Sequence, residues 1–178
     1  MAVAIALLRG VNVGGRTVRM VELTALARDL DLQNPRTLLQ SGNLVFEAPR
    51  APDASLEARL ETALKSRFGF AVDVICRSAV EWARLVAANP FPDAARNDPA
   101  HLLAMPLKTA PVDGGLERLR AAIKGREEAA LIGRDLYVVY PDTIGRSKLT
   151  MNVVERQLGA PTTGRNWNTV LKLAEMIS

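Results

Sequence analysis

The order of elements between Val3 and Cys76 leaves few folds open. Val3–Leu8 is a short apolar run bounded by Arg9-Gly10, the pattern of a buried strand. Met20–Leu32 carries apolar residues at helical spacing, with Val21, Leu23, Leu26 and Leu30 as the expected core face. Pro35–Gln40 and Leu44–Glu47 flank Ser41-Gly42-Asn43, which predicts a hairpin. Leu56–Phe68 reads as a second helix with Gly69 just past its end, and Val72–Cys76 as a fourth strand. The order β-α-β-β-α-β is that of a ferredoxin-like unit. A single doubly wound parallel sheet is incompatible with it.

The second half repeats this order. Ser78-x-x-Glu81 is a capping box opening a third helix that runs to about Asn89. Residues 90–99 are rich in Pro, Asp and Asn and mark a linker between halves 1–89 and 100–178. Leu102–Leu107 is a strand and Leu116–Lys124 a helix. Ala129–Gly133 and Leu136–Tyr140 form a hairpin, and Leu149–Leu158 is a helix ended by Gly159 and Pro161. Where a fourth strand is due, only Pro161–Gly164 is available before a C-terminal helix, Trp167–Ile177. The expectation is an α+β protein of two ferredoxin-like halves with antiparallel sheets, the second with an altered C-terminal end.

Charge narrows the choice of partner. The net charge of +4 is divided evenly, 11 basic against 9 acidic residues in 1–90 and 12 against 10 in 91–178. A nucleic-acid-binding tail would be asymmetric. The one cysteine excludes an internal disulfide and a cysteine-based zinc site, and the one histidine argues against a histidine-rich metal centre. The Ala2–Leu8 run is too short to span a membrane and lacks the charged flank of a signal peptide. A soluble protein of the reducing cytoplasm, with no cofactor, no metal and no membrane partner, is expected.

The sharpest anomaly lies at helix starts. Asp53 and Glu57, Ser78 and Glu81, and Asp113 and Glu117 lead three helices in agreement with the positive end of the helix dipole. Arg16 and Arg19, Arg146 and Lys148, and Arg165 lead the other three. Each such cation costs on the order of 0.3–1 kcal/mol, and a bound anion would offset that cost. The candidate site is therefore Arg9, Asn12, Arg146, Ser147, Lys148, Arg165 and Asn168, gathered on one surface. The bland alternatives are an acidic partner for each cation, or helix boundaries displaced by a few residues. Gln40, Ser41 and Asn43 are placed at the end of the sheet opposite Arg9. Asn166 would cap the last helix, Trp167 would pack in the core, and Cys76 would be a small buried residue rather than a nucleophile.

Four stretches carry a resemblance: Leu7-Leu8-Arg9-Gly10-Val11-Asn12-Val13-Gly14-Gly15, Gln40-Ser41-Gly42-Asn43-Leu44-Val45-Phe46, Gly145-Arg146-Ser147-Lys148-Leu149 and Arg165-Asn166-Trp167-Asn168-Thr169-Val170. In this order they resemble domain-of-unknown-function family 1697, uncharacterised bacterial proteins. Gly164 stands where the family often has Thr or Ala, and Asp31-Leu32 where Gly-Phe is common. The resemblance implies two ferredoxin-like halves and brings no activity and no catalytic residues. The functional expectation is binding of an anionic small molecule, a nucleotide or phosphorylated metabolite, with catalysis open. The alternatives are a nucleic-acid binder on the same basic surface, or an interaction module whose polar motifs are purely structural.

Overall fold

The computed structural model describes residues 1–178 and divides them into two compact units. Met1–Arg84 with Leu173–Ser178 form the first, and Leu85–Lys172 the second. The chain is α+β, with two four-stranded antiparallel sheets and seven α-helices.

In the first unit, β1 (Ala2–Leu8), α1 (Met20–Asp29), β2 (Gln33–Leu38), β3 (Asn43–Ala48), α2 (Ala54–Phe68) and β4 (Val74–Ser78) follow in order. The sheet order is β2-β3-β1-β4, antiparallel throughout. Ala4, Ala6 and Leu8 of β1 alternate into one core with Leu44 and Phe46 of β3, Val74 and Cys76 of β4, and Leu23, Leu26, Leu56, Leu60 and Leu64 of the two helices. Ile5 and Leu7, on the other face, are also fully buried. A strand buried on both faces carries apolar residues at every position, which is why residues 2–8 read as an unbroken run. Cys76 is 5% exposed, as its apolar flanks indicate. Val21 is not a core residue; it is 67% exposed, because the buried stripe of α1 runs through Leu23, Leu26 and Ala27.

The helix α3 (Ala79–Ala87) opens on the capping box read from the sequence. The Ser78 Oγ accepts from the Glu81 N–H at 3.2 Å, and Glu81 Oε2 accepts from the Ser78 N–H at 2.7 Å. The proline-rich stretch then folds as a short helix, α4 (Pro92–Asn97), and a 3-10 turn, Pro99–His101.

In the second unit, β5 (Leu102–Pro106), α5 (Gly115–Ala121), β6 (Glu128–Ile132), β7 (Asp135–Val139), α6 (Met151–Leu158) and β8 (Arg165–Asn166) give the order β6-β7-β5-β8. Leu103, Met105 and Leu107 pack with Leu119, Val138, Tyr140, Val154 and Leu158. The sequence reading found no fourth strand here. It exists, displaced to Arg165–Asn166 and supplemented by an isolated bridge between Leu107 and Thr162. Two residues, one of them charged, have no apolar alternation to betray them. The last helix, α7, is Trp167–Met176. No helix in the structure is long and apolar enough to cross a membrane.

Candidate functional site

The loop from β1 to α1 and the β2–β3 hairpin tip meet at one end of the first sheet. The β1–β3 register pairs Leu7 with Asn43, and the Leu8 N–H donates to the Gly42 carbonyl at 2.9 Å. The tip expected at the opposite end of the sheet from Arg9 therefore stands beside it. A β-α-β crossover makes β1 and β2 parallel, so both strands end on the same edge and the hairpin turns back beside Arg9. Asn12 holds the junction. Its φ of 58° lies in the left-handed region that Asn tolerates better than most residues. Its Oδ1 accepts from the Val18 N–H at 2.8 Å, and its Nδ2 donates to the Val18 carbonyl at 3.1 Å and to the Gln40 carbonyl. Arg9 is half-buried, with its N–H on the Asp73 carbonyl at 3.0 Å. The Arg16 guanidinium lies 4.9 Å from the Phe70 ring centroid and donates to the Ala71 carbonyl, a cation–π contact that fixes the loop.

Helix α1 begins at Met20 with Glu22 in its first turn, so Arg16 lies four residues before it and Arg19 is the N-cap. The same displacement occurs at α6. That helix begins at Met151, and Thr150 caps it by accepting from the Val153 N–H. Arg146 ends a 3-10 turn, Ile144–Arg146, and Lys148 lies in the segment between. Neither stands on a helical first turn, so the expected conflict with the dipole does not arise there.

The segment that carries Arg146, Ser147 and Lys148 is fixed from both sides. The Ser147 Oγ donates to Glu127 Oε1 at 2.5 Å and accepts from the Leu149 N–H at 3.0 Å. The Ser147 hydroxyl, with nearby main-chain N–H groups, holds the Glu127 carboxyl below its ordinary range. The Tyr140 hydroxyl donates to the Leu149 carbonyl at 3.0 Å, and burial pushes that hydroxyl above the ordinary phenol range. Arg126 pairs with Asp142 at 2.5 Å, which holds Asp142 below the usual carboxylate range, with a smaller contribution from Arg146. Between these anchors Arg146 and Lys148 are exposed.

Arg165 has a different fate. It sits on β8 opposite Ala104 and is 6% exposed. Its Nη1 donates to Thr163 Oγ1 at 2.7 Å and to the Gly164 carbonyl at 2.9 Å. Burial pushes its pKa down to about 10, so it remains charged at neutral pH. Asn166 caps α7, its Oδ1 accepting from the Thr169 N–H at 3.1 Å, and Asn168 is exposed in the first turn. Trp167 is 4% exposed and packs against Tyr137, with ring centroids 6.4 Å apart.

Topology groups several of these residues at one end of the second sheet. Leu102 pairs with Val139, Leu103 with Asn166, and the Tyr140 N–H donates to the His101 carbonyl at 2.8 Å. The Arg146–Lys148 segment after β7 and Asn168 after β8 therefore leave the sheet at the same end. His101, the last residue of the 3-10 turn before β5, stands there too. Its Nδ1 lies 2.8 Å from Asp98 Oδ2. Arg9 and Asn12 belong to the first unit. A cavity of about 360 Å³ in that unit, between the end of α1, the end of β3 and the start of α2, is lined by none of the expected residues.

A family described as protein of unknown function (DUF1697) matches residues 1–137. The chain belongs to that family. As a DUF1697 protein it carries two of the four motif stretches inside the matched residues and two beyond them. The structure of conserved bacterial protein SP0830 from Streptococcus pneumoniae is similar over 99% of this chain and 98% of its own, with a TM-score of 0.78 and 21% sequence identity. At that identity the likeness is one of fold. No curated protein matches the chain.

Proposed function

We propose that this DUF1697 protein binds an anionic small molecule, a nucleotide or phosphorylated metabolite, with Arg146 and Lys148 as the cations that meet it. The supporting observation is their display: two exposed cations flank a serine whose hydroxyl is locked on Glu127 and on the Leu149 main chain. A segment already held in place loses little entropy when it closes on a ligand, which favours affinity. Asn168 adds an exposed amide at the same sheet end, and the buried Arg165 charge lies on β8, the strand that leads into it. In the first unit, Arg9 and Asn12 are the corresponding expectation, and Arg9→Ala tests that unit by itself. The reading assigns binding and no reaction.

The strand orders β2-β3-β1-β4 and β6-β7-β5-β8 support a finer reading of the fold, two ferredoxin-like units of one design. A bacterial cytoplasmic setting belongs to the same proposal.

Thermal unfolding in the presence of inorganic phosphate, sulfate and a panel of nucleotides tests the binding. A ligand at a hundredfold excess over its dissociation constant should stabilise the protein by about 2.7 kcal/mol. Arg146→Ala with Lys148→Ala should abolish that response while the protein stays folded. If no anion raises the melting temperature of the wild type, the proposal fails.

One observation favours a second reading, that the motifs are purely structural. Asn12, Ser147 and Asn166 all direct their side chains at groups within their own unit. Under that reading Ser147→Ala and Asn12→Ala lower stability, and Arg146→Ala changes neither stability nor ligand response. Nucleic-acid binding on the same surface would instead show an affinity falling steeply with salt.

A further inference from the structure

Strand β4 ends the first sheet with a single neighbour, β1, yet its outer edge is not open. The N–H groups of Val74, Cys76 and Ser78 each end on a carboxylate. Val74 donates to Glu61 Oε1 at 2.9 Å, Cys76 to Glu57 Oε1 at 2.8 Å and Ser78 to Glu81 Oε2 at 2.7 Å. Between them, Ile75 and Arg77 are paired with Leu7 and Ile5 of β1. The Cys76 carbonyl accepts from Arg77 Nη1 at 3.0 Å, so this residue has both main-chain groups engaged by side chains.

The fit is geometric. Glu57 and Glu61 stand one helical turn apart, about 6 Å along the axis. Val74 and Cys76 are two strand residues apart, about 6.6 Å. Glu61, later in α2, meets Val74, and Glu57 meets Cys76, as an antiparallel helix and strand require. Glu57 is only 8% exposed, a position that the inward face of a helix ordinarily gives to an apolar residue. Burying a carboxylate there is costly unless it accepts a hydrogen bond, and the strand N–H supplies one.

We propose that Glu57, Glu61 and Glu81 form a carboxylate cap that closes the β4 edge against a strand from a second copy of this chain. An uncapped edge presents a row of main-chain donors that templates pairing. The cap removes the donors and puts negative charge where the carbonyls of an incoming strand would lie.

Amide exchange and sedimentation velocity test the cap in the full chain. In the Glu57→Ala/Glu61→Ala variant, the Val74 and Cys76 amides should exchange about tenfold faster relative to those of Ile75 and Arg77, the factor one lost hydrogen bond allows. The sedimentation coefficient of that variant should rise with protein concentration. Glu57→Gln/Glu61→Gln keeps an acceptor oxygen at each site and should retain the wild-type protection at Val74 and Cys76. Glu61→Ala alone leaves the buried Glu57 in place and should show the same acceleration at Val74 only, which preserves the test if the double variant does not fold. Unchanged relative exchange at Val74 in both alanine variants, or wild-type sedimentation of the double variant at every concentration, overturns the proposal.

Discussion

Asn12 commits its whole side-chain amide to main-chain groups, two on Val18 and one on Gln40. Replacing it with Ala removes all three bonds and leaves a β-carbon residue at a φ of 58°. A net hydrogen bond is worth about 1 kcal/mol, so Asn12→Ala should cost about 2–3 kcal/mol in urea unfolding. A change within about 0.5 kcal/mol, the range of ordinary surface substitutions, would contradict the clamp. Gly42 is the matching constraint on the hairpin. Its φ is 80°, and an added Cβ would lie 2.7 Å from the Leu8 Cβ and 2.8 Å from the Val11 Cγ2. Gly42→Ala should therefore destabilise by about 1–3 kcal/mol, the combined scale of a left-handed strain and an overpacked contact. Single residues were the most legible part of the sequence. Cys76 and Trp167 fell in the core because apolar neighbours on one face leave little else for them to do. Asn12 stood out for its polarity, but the main-chain groups it meets were not legible, because they are set by a sheet edge rather than by local sequence.

Elements were legible where their length let a period show. The helices and the longer strands follow from 3.6- and 2-residue patterns, while β8 is two residues long and shows neither. Helix starts were misplaced by two residues at α6, enough to turn Arg146 and Lys148 into apparent first-turn cations. The segment between β7 and α6 has its own energetics. The bond from Ser147 lowers the Glu127 pKa in the folded protein relative to its ordinary value of 4.5. A carboxylate with a depressed pKa contributes stability that is complete above the unfolded value and fades as the pH falls through the folded one. Ser147→Ala should thus cost about 1 kcal/mol at neutral pH. The gap from wild type should narrow as the pH drops below the ordinary glutamate value. Urea unfolding at pH 7 and in the acid range reads this directly. A gap constant across the range would mean that the Glu127 charge is not what Ser147 serves.

At the scale of the molecule, the sequence divides most naturally at the proline-rich stretch, yet the chain returns after it to the first unit. Leu173–Ser178 group with Met1–Arg84, although α7 begins in the second unit. No local pattern announces such a return, because the last helix has an ordinary amphipathic stripe whichever unit it completes. Two contributions depend on it. Leu173 is fully buried, and Arg36 Nη2 of β2 donates to the Met176 carbonyl at 2.7 Å. β2 is an edge strand, paired on one side only and with an irregular register between Gln33 and Arg36. Removing residues 173–178 deletes a buried leucine, a loss of about 3 kcal/mol or more. It should also release β2 preferentially. Amide exchange across Gln33–Leu38 should accelerate far more than across β5, and the urea midpoint should fall. If β2 and β5 respond alike, or β2 keeps its protection, the C-terminal turn is not what holds that edge.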